Sequence, residues 1–132
     1  MASIFTRIIS GEIPCHKVAE NDRFLAFLDI RPIHAGHTLV IPKQEIDYLF
    51  DLPDELLGDL MKFAKPIAHA IKKVVPCTRV GVIVAGIEVP HAHVHLVPFE
   101  TMGQLTFANA KPADHKDLAA LAEKIRAALG HH

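Results

Sequence analysis

HAHVHLVP, His91 to Pro98, sets a histidine at every second position: His91, His93 and His95. Side chains alternate faces along a β-strand, so these three project to one side at intervals of about 6.5–7 Å. Ala92, Val94 and Leu96 project to the other side, where they suit a core. Packing alone accounts poorly for such a row. Each buried imidazole needs partners for two ring nitrogens, and neighbouring imidazolium ions repel one another. Three chemistries could use it: ligation of zinc or iron, general acid–base catalysis, or nucleophilic attack by one imidazole whose neighbours fix its tautomer and hold charged oxygens. Spacing by itself does not choose among them.

Outward from this strand, Arg79 to Ala85 (RVGVIVA) reads as the strand before it, joined through a loop at Gly86. Further upstream, a long helix follows Pro53, which suits a first helical position, with Asp54 and Glu55 complementing the positive end of its dipole. Leu56, Leu60, Phe63, Ile67, Ile71 and Val74 repeat at three and four, giving one buried stripe. Pro66 is expected to kink or break that helix, and Pro76 ends it. Earlier still lie three strands, running from Pro14 to Glu20, from Phe24 to Ile30 and from His37 to Pro42. Asn21-Asp22 forms a hairpin turn between the first two, and Arg31-Pro32 with Ala35-Gly36 separates the second from the third. Ile4 to Ser10 fits one or two helical turns closed by Gly11, and residues 111–130 fit a C-terminal helix capped by Gly130. Hairpin-spaced strands with helices after them predict an α+β domain: a roughly five-stranded antiparallel sheet, one long helix and a C-terminal helix. No repeat or linker divides residues 1–132, so a single domain is expected.

The chain carries 14 Lys+Arg against 15 Asp+Glu, a net charge of −1 with its 10 histidines neutral. That balance argues against a strongly basic nucleic-acid binder and against an acidic disordered tail. No apolar run approaches the ~18 residues of a membrane span. The opening MASIFTRIISGE lacks the pattern of a secretory signal. Two cysteines, Cys15 and Cys77, are too few for a disulfide framework or a cysteine-rich zinc site. A cytoplasmic protein with no nucleic-acid or membrane partner is the expectation.

With Val89 and Pro90 before it, HAHVHLVP resembles the signature block of the histidine triad (HIT) superfamily of nucleotide hydrolases and transferases. FLAFLDIRPIHAGHTLVIPK (residues 24–43) is similar to that family's upstream segment, and IFTRIISGEIP (residues 4–14) to its opening. The resemblance implies roles residue by residue. His93 corresponds to the nucleophile that attacks the α-phosphorus and forms a covalent nucleotidyl-histidine, later hydrolysed by water. His95 corresponds to the holder of non-bridging oxygens, and His91 to the residue that orients the nucleophilic ring, partly through its carbonyl. His37 matches the family's fourth histidine. Asp29 matches the acceptor of the ribose hydroxyls, although an Asp before a turn also caps that turn. Phe5, Ile8, Ile13, Phe27 and Ile30 fall where the family builds its base pocket, and core packing explains them equally well. Hydrolysis or transfer at the α-phosphate of a nucleoside phosphoramidate, nucleoside phosphosulfate, adenylate or dinucleoside polyphosphate, a purine by expectation, is implied, as is a homodimer with the long helix and adjoining strand at the interface. Leu49, Phe50 and Leu52 are candidates for that surface. No redox cofactor is required.

Two departures from the family pattern stand out. The glycine-rich loop before the triad is reduced to Gly86-Ile87-Glu88. Ile87 cannot donate the hydrogen bond of the family glutamine. Glu88 sets a negative charge near the expected phosphate unless it turns to solvent or acts as an acid or base. Some relatives also carry a structural zinc on C-x-x-C and a later histidine. The corresponding residues here are Ser3-Ile4-Phe5-Thr6 and Glu45, so no structural zinc is expected. A metal-dependent hydrolase using His37, His91, His93 and His95, and a nucleotide-binding module with little turnover, are the competing readings. His34 is expected in a solvent-exposed loop. His16, His69 and His115 look incidental, and His131-His132 resemble the stub of a purification tag.

Overall fold

A computed structural model describes residues 2–130, so the His131-His132 pair lies outside the described residues. The elements run α1 (Ile4–Ile9), β1 (Lys17–Glu20), β2 (Phe24–Leu28), β3 (Thr38–Pro42), α2 (Asp54–Val74), β4 (Arg79–Ile83), β5 (Val94–Phe99) and α3 (His115–Leu129). Short 3-10 turns cover Leu49–Asp51, Met102–Gln104 and Phe107–Asn109. The strands form one five-stranded sheet in the order β1-β2-β3-β5-β4, antiparallel at every junction. The expected α+β architecture is therefore present, with three helices around the sheet.

Period-two alternation divides the sheet into two apolar faces. One carries Phe24, Ala26, Leu28, Val40, Val94 and Leu96 against Leu60, Ala64, Ile67 and Ile71 of α2 and Leu118, Ala122 and Ile125 of α3. The other carries Leu25, Phe27, Leu39 and Ile41, closed by Phe5 of α1, with Ile8, Ile9, Cys15 and Val89 packed around it. His93 and His95 share this second face, since Leu39 pairs with His95 in the register between β3 and β5.

Several boundaries differ from the sequence reading. α2 runs unbroken through Pro66, and Pro53 stands just outside it as the N-cap. Pro66 deprives only the Lys62 carbonyl of its helical partner; Lys62 is exposed, so water can take that bond, while the buried stripe on both sides stays on the sheet. β2 stops at Leu28 because Asp29 turns the chain, its side chain accepting from the Arg31 N–H at 2.9 Å. β4 ends at Ile83, opposite His95, and β5 starts only at Val94, so His91 and His93 precede the strand. Their backbone is still tethered, with the Ala92 N–H bonded to the Ile46 carbonyl at 2.7 Å. α3 starts at His115, capped by Asp114, whereas Lys111 and Ala113 donate to the Pro32 and Ile30 carbonyls. Leu49 and Leu52 are buried in the chain's own core, and of the three residues proposed for an interface only Phe50 is exposed.

Candidate active site

β3, β5 and the segment before β5 bring His37, His91, His93 and His95 together, all four buried. The tight turn that delivers His37 depends on Gly36. Its φ is +94°, and a Cβ there would meet Val75, Pro98 and Ile71 side chains at 3.0–3.3 Å. Among the described residues no fully buried side-chain nitrogen or oxygen lacks a partner, and of the eight ring nitrogens only Nε2 of His93 and Nε2 of His95 are left without one from the protein.

The hydrogen bonds assign a proton to most ring nitrogens. His93 Nδ1 lies 2.7 Å from the His91 carbonyl, which can only accept, so Nδ1 carries the proton and Nε2 keeps its lone pair. His91 Nε2 lies 2.7 Å from the Pro42 carbonyl and must donate to it; its Nδ1 then accepts, 2.9 Å from Ser3 Oγ. The Ile33 N–H donates to His37 Nδ1 at 3.0 Å, which leaves the neutral His37 ring protonated on Nε2. That nitrogen faces His95 Nδ1 at 2.9 Å, so His95 accepts there and presents an Nε2–H. The site thus offers one free imidazole lone pair, on His93, beside one imidazole donor, on His95. The two rings meet edge to face with centroids 5.0 Å apart.

Burial disfavours the charged forms of His37, His91 and His95. Desolvation pushes His95 down to about 3, with His37 and His93 adding repulsion to its charged form. It also lowers His37, against the opposing pull of Asp29, and His91, against the Pro42 carbonyl and Glu45.

The remaining sequence candidates fall in several places. Asp29 performs the turn-capping task through Oδ1 and also sets Oδ2 3.6 Å from His37 Nε2. Phe5 and Phe27 are buried edge to face at 5.8 Å, and Phe5 also sets its ring against His93 at 5.0 Å. Ile8 and Ile13 are half-buried, and Ile30 is 55% exposed just past β2. Glu88 is exposed in the loop after β4, and Ile87 beside it is 89% exposed. His34 is half-buried, its Nδ1 2.9 Å from the Ala35 carbonyl. His16 and His115, incidental in the sequence reading, set ring nitrogens 2.9 Å apart at the surface. Sequence reasoning missed Phe107, whose ring packs edge to face on His95 at 4.9 Å from a segment with no strand or helix periodicity. It also missed the Ile33 N–H and the Pro42 carbonyl, since backbone groups leave no signature in a residue pattern.

Among the described residues, the group able to converge on a metal ion is Asp29, His37 and His95, with ligand atoms within 4.8 Å of one another. His91 and His93 are not in it; three of their four ring nitrogens are hydrogen-bonded to Ser3, Pro42 and the His91 carbonyl. No helix among the described residues is long and apolar enough to cross a membrane.

Comparison with known proteins gives a consistent result. Residues 10–102 match the family model described as HIT domain. The adenosine 5'-monophosphoramidase of Saccharomyces cerevisiae is 39% identical over 131 residues, covering 97% of this chain and 83% of the yeast protein. A Hit-like protein from Bartonella henselae superposes with a TM-score of 0.84 at 34% identity over 96% of this chain and 95% of its own. A Zn-bound histidine triad family protein from Mycobacterium smegmatis does so with a TM-score of 0.84 at 31% identity over 98% of this chain and 94% of its own. With the triad geometry, the matched span and these relatives in agreement, the chain belongs to the HIT domain family.

Proposed function

We propose that this protein cleaves the P–N bond of a nucleoside 5'-phosphoramidate, with His93 as the nucleophile. The observation that carries this reading is the His93 ring, whose Nδ1–H is fixed on the His91 carbonyl so that Nε2 is left free to attack. Nε2 forms a bond to the α-phosphorus as the P–N bond breaks and ammonia leaves, one proton being taken up from solvent. Water then attacks the same phosphorus, the P–Nε2 bond breaks, the nucleoside monophosphate departs and the proton is returned. His95 supports both displacements by donating Nε2–H to a non-bridging oxygen, with its own Nδ1 steadied by His37. Asp29 accepts from the ribose hydroxyls through the oxygen not engaged in the turn. Ile8, Ile13 and Ile30 flank the base above Phe5 and Phe27. The identity to the yeast adenosine 5'-monophosphoramidase supports an adenine nucleotide as substrate.

The proposal includes a homodimer. β4 is a sheet edge with free backbone groups, and Val82, Val84 and Ile87 are 51%, 41% and 89% exposed on and just beyond it. Met61 of α2, 43% exposed, adds to the apolar surface. Turnover of adenosine 5'-phosphoramidate with and without chelator tests the enzymatic reading. Wild type is expected to release AMP at the same rate in both. Loss of activity on chelation would favour metal-assisted hydrolysis at Asp29, His37 and His95, and AMP binding without any turnover would favour a binding module.

A further inference from the structure

Ser3, Thr6 and Glu45, the positions to which the family resemblance assigns the structural zinc ligands of some relatives, form a polar cluster with His91 behind the triad. These side chains do not fit zinc, which favours thiolate, imidazole and carboxylate ligands, because two of the four are neutral hydroxyls. Their polar atoms are also committed to one another. Glu45 Oε1 accepts from the Ser3 N–H and from Thr6 Oγ1–H, each at 2.6 Å. Ser3 Oγ accepts the Thr6 N–H at 3.1 Å as the N-cap of α1, and donates to His91 Nδ1 at 2.9 Å. Both donors hold the Glu45 carboxyl down at about 2, so it stays ionised at neutral pH.

We propose that Glu45, Ser3 and Thr6 form a metal-free clasp that positions the His93 ring through His91. His91 is gripped at both ring nitrogens, by Ser3 on one side and the Pro42 carbonyl on the other, and its carbonyl takes the proton of His93 Nδ1. The residue 42–46 segment meets the triad at three points: the Pro42 carbonyl on His91, the Ile46 carbonyl on the Ala92 N–H, and Glu45 through α1. Phe5, two residues after Ser3, sets its ring edge to face with His91 at 5.7 Å and with His93 at 5.0 Å. Glu45 thereby ties α1 to the loop after β3, and the position of α1 fixes two of the three triad rings. Ser3, Thr6 and Glu45 are positioning residues, acting on the reaction through His91 and through the seat of α1.

The inference rests on His93 as nucleophile, so its test has a readout independent of turnover. Ser3→Ala, Glu45→Ala, the isostere Thr6→Val and the hydroxyl-retaining Ser3→Thr are compared with wild type. The readouts are kcat and KM on adenosine 5'-phosphoramidate and the 15N spectra of histidine-labelled protein. Ser3→Ala and Glu45→Ala are expected to lower kcat about 10- to 100-fold with KM within about twofold, the scale of a misaimed reacting group. In the same variants the single-tautomer pattern of His91 and His93 should blur. Thr6→Val, removing one of two donors to Glu45, should lower kcat by about two- to fivefold, and Ser3→Thr should restore most of it. Variants that melt earlier yet keep kcat per folded molecule and an unchanged tautomer pattern would overturn the proposal, as would stoichiometric zinc retained by the purified wild type. If wild type fails to turn over while the 15N patterns still respond, the phosphoramidase reading falls and the clasp stands.

Discussion

Under α2 and α3 the sheet is closed by aliphatic side chains, whereas its opposite face buries histidines beneath the six residues of α1. On the helix face the cohesion is apolar area removed from water, which is non-directional and tolerates exchange of one aliphatic shape for another. On the α1 face every imidazole is oriented by a directional partner: Ser3 and Pro42 for His91, the His91 carbonyl for His93, Ile33 for His37, and His37 for His95. The first arrangement makes the domain stable; the second makes one ring nitrogen available and keeps its neighbours neutral. Stability and the proposed chemistry thus fall on opposite sides of the same strands.

That contrast is broken or sharpened by substitutions chosen from each side. His93→Ala should reduce turnover by at least about 10³-fold, the scale seen on removing a nucleophile, while circular dichroism shows a folded chain. A variant keeping a tenth of wild-type activity would end the division of labour proposed here. Ile71→Ala, from the fully buried helix face, should cost about 2–5 kcal/mol in urea unfolding and leave kcat per folded molecule within about twofold.

Acidification separates the faces next. With His95 pushed down to about 3, and His37 and His91 also lowered, the unfolded chain, whose histidines titrate near 6.5, binds more protons at acid pH. The stability these neutral rings permit is therefore complete above about pH 6.5 and is lost as pH falls below it, by up to about 1.4 kcal/mol per pH unit for each such histidine. Urea midpoints at pH 7 and pH 5 should show that loss in wild type and in Ile71→Ala alike, and a smaller one in His95→Gln. The smallest effect is expected from Asp29→Asn, which keeps an acceptor for the Arg31 N–H but removes the charge. Its KM for adenosine 5'-phosphoramidate should rise about three- to tenfold with kcat nearly unchanged, measured by initial rates.

Legibility in the sequence follows the same division. Period two was enough to place Ala92, Val94 and Leu96 in the core and the histidines opposite, because alternation is a local property of extended backbone. The α2 stripe was readable for the same reason, with Leu56, Leu60, Ile67 and Ile71 buried as its spacing implied. What escaped the sequence was set by distant partners. The late start of β5 depends on an Ile46 carbonyl 46 residues away from the Ala92 N–H it accepts. The persistence of α2 through Pro66 depends on the sheet beneath it. The His16–His115 pair joins residues 99 apart, and the edge of Phe107 on His95 comes from a loop without periodicity. The Ser3, Thr6 and Glu45 positions were visible as departures from a family pattern, but the bonds of Ser3 and Thr6 to Glu45 form only once the fold brings residues 3 and 45 together.

The most direct test follows the phosphorus itself. Wild-type protein mixed with adenosine 5'-phosphoramidate, quenched within milliseconds at alkaline pH to preserve a P–N linkage, is digested and its peptides are weighed. An adenylyl group is expected on the peptide containing His93, attached at the ring, appearing and decaying at rates that match turnover, and absent in His93→Ala. Turnover with no labelled peptide at any time, or a label on another residue, would contradict it.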